Sequence, residues 1–176
     1  MRVWVFISVF LLGLGAPAKL RASPSDTNAA MLPPLVQVAL FHKIFAYDRK
    51  LPPRLRVLVV YTEEYATVAE EVAKNLTKLP MNVDKSHLSE FARRSSGANV
   101  VYLLTGKTPP SVMEFCQRNQ VLSVSPIPAL AERGEVSVAI GIREDRKSEI
   151  IVHLNRARQE GRELTMGLLA LARVIR

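Results

Sequence analysis

Apolar residues recur along this chain with two periods, and the order in which the periods alternate predicts the fold. Residues 35–47 place Leu35, Val38, Phe41 or His42, and Phe45 three to four positions apart. That spacing predicts a helix with one apolar face, opened by Pro34 and ended by Asp48 and the Pro52-Pro53 pair. Residues 55–61 (LRVLVVY) form a nearly continuous, β-branched-rich run, the pattern of a strand buried on both faces. Thr62 offers an N-cap, and Glu63 and Glu64 would sit at the positive end of the next helix dipole. That helix carries Tyr65, Val68, Val72, Leu76 and Leu79 on one side and is the clearest amphipathic segment in the chain. Residues 81–84 read as a short strand, and Ser86 as the cap of a weaker helix through Leu88 and Phe91.

A second buried-strand run, residues 99–104 (NVVYLL), leads into a turn. Thr108 then caps a helix with Pro109 at its first position and Val112, Phe115 and Cys116 along one side. Residues 121–125 read as a third strand, and residues 126–134 as a brief helical turn closed by Gly134. The period then changes to two. Val136, Val138, Ile140 and Ile142 alternate with Glu135, Ser137, Ala139 and Gly141, which predicts a strand with one apolar face. A charged turn and a second strand over 149–154 complete a hairpin. Asn155 opens a polar helix that breaks at Gly161, and Thr165 caps a terminal helix whose buried stripe is Leu168, Leu171 or Ala172, and Ile175. Alternating strands and helices require right-handed parallel crossovers. The expected fold class is therefore α/β: a three-layer Rossmann-like sandwich whose mostly parallel sheet ends in an antiparallel C-terminal hairpin, forming a single domain over residues 34–176.

The first residues carry another signature. Arg2 precedes an apolar stretch over 3–16, and small residues follow at Ala16-Pro17-Ala18 and at Ala22. This is the pattern of a secretory signal peptide over residues 1–22. Pro17, Lys19 and Arg21 interrupt the run before it reaches the ~20 residues a membrane span needs. Residues 23–33 (SPSDTNAAMLP) are expected to be a flexible segment. Export changes how the composition is read. The chain carries 24 Lys+Arg against 16 Asp+Glu, a net charge of +8. In an exported protein that excess points to weak contact with an anionic envelope surface or an acidic partner. No basic stripe interleaved with aromatics is present, so nucleic acid is not an expected partner. An apolar content of 48% excludes a fully disordered chain.

The candidate chemistry is sparse. Gly106-Lys107-Thr108 resembles the end of a phosphate loop, but position 101, where the first glycine belongs, is Val101. His42, His87 and His153 fall on separate elements without metal-ligand spacing, so no metal is expected. The single cysteine, Cys116, cannot form an internal disulfide and lies on an apolar helix side, as a buried thiol would. No serine-hydrolase elbow exists. No catalytic residue or cofactor is expected, and the chain does not read as an enzyme. One inference comes from the fold class: open α/β sheets bind ligands outside the carboxyl ends of their strands. Here those ends are Thr62 and Glu63, then Thr105, Gly106 and Lys107, then Ser125 and Pro126. They form a candidate cleft for a small ligand or partner, although the same threonines also serve as helix caps.

The chain resembles the YfiR/HmsC-like family of small bacterial periplasmic proteins over residues 35–175. The resemblance rests on the opening helix from Val36 to Ala46, on Val121 to Ser125 followed by Pro128 to Gly134, and above all on Asn155 and the closing Leu168-Leu169-Ala170-Leu171-Ala172-Arg173-Val174. The family's Trp-Pro after the first helix is Tyr47-Asp48 here, its paired glycine is Arg133-Gly134, and a single cysteine forbids the internal disulfides some members use. The resemblance implies a periplasmic regulatory binding protein that represses an inner-membrane diguanylate cyclase by direct contact, thereby modulating cyclic-di-GMP and biofilm formation, and that often forms a homodimer. Leu168, Leu169, Leu171, Val174 and Ile175 are more apolar than one buried stripe needs and mark a candidate interface. The alternative is a single-lobe, solute-binding-like periplasmic protein, since the same strand-helix order also resembles one lobe of such a clamp.

Overall fold

The computed structural model describes residues 31–176. The expected signal peptide and most of the 23–33 segment lie outside the described residues. Helix α1 (Pro34–Phe45) opens on the expected proline and leads to strand β1 (Leu55–Tyr61). A single 3-10 turn then enters α2 (Ala66–Leu76). Strand β2 (Met81–His87) follows, then a second 3-10 turn and the four-residue α3 (Phe91–Arg94). Next come β3 (Val100–Leu104), α4 (Pro110–Arg118), β4 (Leu122–Ser125) and α5 (Pro128–Glu132). The chain closes with the β5 (Val138–Ile142) and β6 (Ser148–His153) hairpin, α6 (Leu154–Gln159), α7 (Met166–Leu171) and β7 (Ala172–Ile175).

All seven strands join one sheet in the order β2-β1-β3-β4-β5-β6-β7. Pairings from β2 through β5 are parallel, β5 and β6 pair antiparallel, and β7 runs parallel to β6. The Rossmann-like sandwich with its antiparallel pair is the expected fold. The continuous apolar runs have a direct cause: alternate residues of each strand enter opposite cores. Val57 and Val59 face a core with Phe41, Ala69, Val72 and Leu76 from α1 and α2. Leu58 and Val60 face the other, with Phe91, Val112, Cys116 and Leu130 from α3, α4 and α5. Each such buried side chain contributes roughly 1.5–3 kcal/mol. Tyr102, fully buried in β3, donates its hydroxyl to Gln37 Oε1 at 2.5 Å, which fixes α1 over the sheet.

Four expectations need correction. Strand β2 runs on to His87 and takes in Ser86, so Ser86 caps no helix. As an edge strand it borders one core only and keeps Asn82 and Asp84 exposed, which hid it from a hydrophobic pattern. Thr108 caps nothing, because Pro109 occupies the N-cap position. The strand expected to have one apolar face is instead covered on both: Val138, Ala139, Ile140 and Gly141 are buried, and Ile142, at its free end, is 42% exposed. Gly141 is required there, since a Cβ would lie 2.5 Å from Pro128 Cγ. The terminal helix ends at Leu171. Residues 172–175 leave helical periodicity to pair with the outer edge of β6, where ladder bonds and β-branched packing outweigh local preference.

Candidate functional site

The chain passes from β1 outward to β2 and then crosses back to β3 on the other side of β1. Strand order therefore reverses between β1 and β3, and ligands of open α/β sheets bind at the carboxyl end of such a switch point. Five of the seven sequence-predicted cleft residues meet there. The Thr62 N–H donates to Leu104 O at 3.2 Å, so the two strands stay joined one residue past their ends. Instead of capping the backbone, the Thr62 hydroxyl donates to Glu64 Oε1 at 3.2 Å. Glu64 Oε1 reaches across the gap and would lie 3.7 Å from a Cβ on Gly106. Glu63 and Glu64 are exposed, as is Lys107 on the opposite lip. Among the described residues none of the three has an ion-pair partner. Thr105 is buried, and its hydroxyl has no hydrogen-bond partner among the described residues.

The other two predicted residues are closed off. The Ser125 hydroxyl donates to Leu103 O at 2.7 Å and accepts from the Ile127 N–H at 3.1 Å, and Pro126 is buried. Below Lys107 the chain supplies its own anion. Glu135 Oε2 accepts the Thr108 N–H at 2.6 Å, and Glu135 Oε1 accepts from Arg133 Nε at 2.6 Å. Burial pushes the Glu135 carboxyl up, but the Arg133 guanidinium, the Thr108 N–H and Lys107 outweigh it and hold the group below its ordinary value. The phosphate-loop echo at Gly106-Lys107-Thr108 is thus filled by an internal carboxylate. The sequence pattern marks Glu64 only as a first-turn helix residue, and Arg133 and Glu135 not as site residues at all. Glu135 sat on the polar side of an alternating pattern and carried no motif.

A second polar cluster locks the C-terminal half. Glu160, fully buried, accepts from Ser123 N (2.9 Å), Ser123 Oγ (2.6 Å), Ser137 Oγ (2.5 Å) and Arg156 Nε (2.9 Å). Arg156 also donates to Met113 O at 2.6 Å. Burial pushes the Glu160 carboxyl up from its ordinary value, and the serine hydroxyls and Arg156 pull it part of the way back. The cluster joins α6 to β4, β5 and α4. It is sealed from solvent, which suits structure rather than ligand contact. Cys116 is buried beside it, and burial pushes its thiol well up from the ordinary value.

Sequence reasoning also missed a groove of about 740 Å³ between α3 and α4, floored by Phe91 and Phe115, whose rings meet edge to face at 5.2 Å. None of the seven predicted cleft residues lines it. His42, His87 and His153 stay apart: His87 Nδ1 lies 2.8 Å from Ser89 Oγ, and His153 caps α6 by accepting the Arg156 N–H at 3.1 Å. No group of three His, Cys, Asp or Glu among the described residues is placed to hold a metal ion. The predicted interface residues divide. Leu168 is fully buried in the first core and offers no surface, whereas Leu171 is 67% and Val174 40% exposed, and Leu169 and Ile175 are half-buried. No described helix is long and apolar enough to cross a membrane.

No family model and no curated protein matches the chain. Solved structures share the fold. The ABC domain from Streptococcus pneumonia, in complex with L-Trp, is 13% identical with a TM-score of 0.60, over 82% of this chain and 60% of that one. A conserved domain protein from Vibrio cholerae O1 biovar El Tor is also 13% identical, with a TM-score of 0.56 and the same coverage. The chain spans 60% of the length of each neighbour. At this identity the likeness establishes the α/β fold alone.

Proposed function

We propose that the chain is a solute-binding-like module that takes a small polar ligand at the carboxyl ends of β1 and β3. The observation that carries this reading is the set of exposed charges without an ion-pair partner among the described residues at the topological switch point: the Glu63 and Glu64 carboxylates on one lip and the Lys107 ammonium on the other, with Gly106 between them. Such a lip suits a ligand bearing both signs of charge. A fold neighbour solved in complex with L-Trp is consistent with the reading. A thermal-shift screen of small envelope metabolites, free amino acids included, tests it. A ligand at 100 times its Kd adds about 2.7 kcal/mol, a rise of several degrees in Tm for a chain of this size. The rise should vanish in Glu64→Lys and Lys107→Glu. No rise with any charged metabolite, free amino acids included, or a rise with such a ligand that both variants retain, overturns the reading.

A second reading has an observation of its own. The segment that most resembles the YfiR/HmsC-like family ends in β7, whose outer edge is unpaired among the described residues and carries exposed Val174, with exposed Leu171 at the end of α7 just before it. In this reading the module acts in the periplasm after removal of residues 1–22. It binds the inactive state of an inner-membrane diguanylate cyclase more tightly than the active state, and a second copy completes a homodimer. Deleting the gene should raise cyclic-di-GMP. Unchanged levels, with no membrane partner recovered by crosslinking through residue 171 or 174, count against it.

A further inference from the structure

We propose that the groove between α3 and α4 is a second binding site, built for an uncharged saccharide of mono- or disaccharide size. Its volume of about 740 Å³ falls within the ~300–1,000 Å³ usual for small-molecule sites. None of its fourteen lining residues is charged, in a chain with 23% charged residues. The nearby Arg56, Arg93 and Arg94 lie outside it and are paired with Asp84 and Glu90. A phosphorylated or carboxylated ligand would enter without a counter-charge, at a desolvation cost nothing in the lining offsets.

The floor is apolar and the rim polar. Half-buried Phe115 presents ring surface of the kind the C–H face of a sugar ring packs against, and Phe91 and Val112 lie largely covered beneath it. Around them stand hydrogen-bonding groups with open valences. Asn99 Oδ1 accepts the Arg56 N–H at 2.9 Å, which leaves the Asn99 amino group free to donate. Asn119 donates Nδ2 to Phe115 O at 2.9 Å, which leaves its oxygen free to accept. Among the described residues Ser95, Ser96 and Ser111 find no side-chain partner, and all three line the groove. Ser95 is 3% exposed as a residue, and its hydroxyl is the part that stays open, since it is not among the buried side-chain atoms left without a partner. Hydroxyls that donate and accept, one free amide donor and one free amide acceptor match a polyol, whose every hydroxyl does both.

An amide NMR titration of the full chain tests this, with glucose, N-acetylglucosamine and trehalose as neutral probes and glucose 6-phosphate as the charged control. At least one neutral sugar should saturably shift the Ala92, Ser96 and Ser111 amides, and glucose 6-phosphate should bind at least about tenfold more weakly. Ala92→Trp and Ser111→Trp, at exposed positions on different helices, should fill the groove and weaken binding at least about tenfold, whereas Glu64→Lys and Lys107→Glu at the sheet edge should leave it unchanged. The site is overturned if no neutral sugar moves those amides, if the phosphate ester binds as tightly, or if either well-folded tryptophan variant binds like the parent. Because amide shifts localise each ligand, and Glu64→Lys and Lys107→Glu are expected to affect the sheet-edge site alone, either site can fail without the other.

Discussion

The two halves of the sheet are held together by different physics. From β2 to β4 the strands are packed mainly by hydrocarbon, with the Tyr102–Gln37 hydrogen bond and the Ser125 hydroxyl on Leu103 O as polar exceptions: Val57, Val59, Val100 and Leu122 face one core, Leu58, Val101 and Leu103 the other. From β4 to β6 the interior contains a buried ion pair and two serine hydroxyls, with Glu160 as the shared acceptor. The first half draws on a non-directional force that tolerates volume-conserving exchange. The second draws on donors and acceptors that must all be present, because a single unpaired member is expensive in a low dielectric. This contrast orders the expected effects of mutation.

Arg156→Ala should be the most damaging change, because it strands the Glu160 carboxylate in the interior. A loss of about 3–5 kcal/mol is expected in denaturant unfolding. Removing the charge as well, Arg156→Ala with Glu160→Gln, which keeps an oxygen to accept from Ser123, should recover part of that loss, and a double variant as unstable as the single one would break the contrast. In the hydrocarbon half, Leu103→Ala should cost about 2–5 kcal/mol through the cavity it leaves, whereas Leu103→Met should cost less than about 1.5 kcal/mol. Gly141→Ala should cost about 1–3 kcal/mol by overpacking against Pro128. Pro128→Ala should relieve much of that, as a double-mutant cycle would register.

The acid-base signatures of the two buried carboxylates should be smaller and opposite in sign. Glu135 titrates below its ordinary 4.5 in the folded chain. Its contribution is therefore complete above that value and is lost as pH falls through the lower folded value. Glu160 titrates above its ordinary value, so its contribution is complete below 4.5 and declines as pH rises through the higher folded value. Tm measured against pH should show a shallower acid limb in Glu135→Gln and a shallower decline with rising pH in Glu160→Gln. The smallest effect belongs to the exposed end of α7: Leu171→Ser should change stability by no more than about 0.5 kcal/mol. A larger loss would mean that Leu171 is covered.

The same division explains what could be read in advance. The runs LRVLVVY and NVVYLL announced β1 and β3, because strands buried on both faces need apolar residues at every position. The order of elements then places Thr62, Thr105, Gly106 and Lys107 at one sheet edge. Strand β2 was only half legible, since an edge strand with one wet face resembles a loop. β7 was read as helix because the ladder offered by β6 is not a local property. The buried polar residues were the least visible. Ser123, Ser137 and Glu160 look like ordinary surface positions until three elements bring them together, and Glu135 passed for a solvent-facing strand residue. The groove between α3 and α4 had no sequence signal, because its walls come from helix starts and a serine-rich loop without periodicity.

The account depends most on the charged lip between β1 and β3. The direct measurement is an amide NMR titration of the full chain with a panel of free amino acids, L-tryptophan among them. At least one should shift the amides of residues 62–64 and 105–107 saturably, and Lys107→Glu should abolish the shift. A panel that leaves those amides unmoved, or moves them equally in the variant, would contradict it.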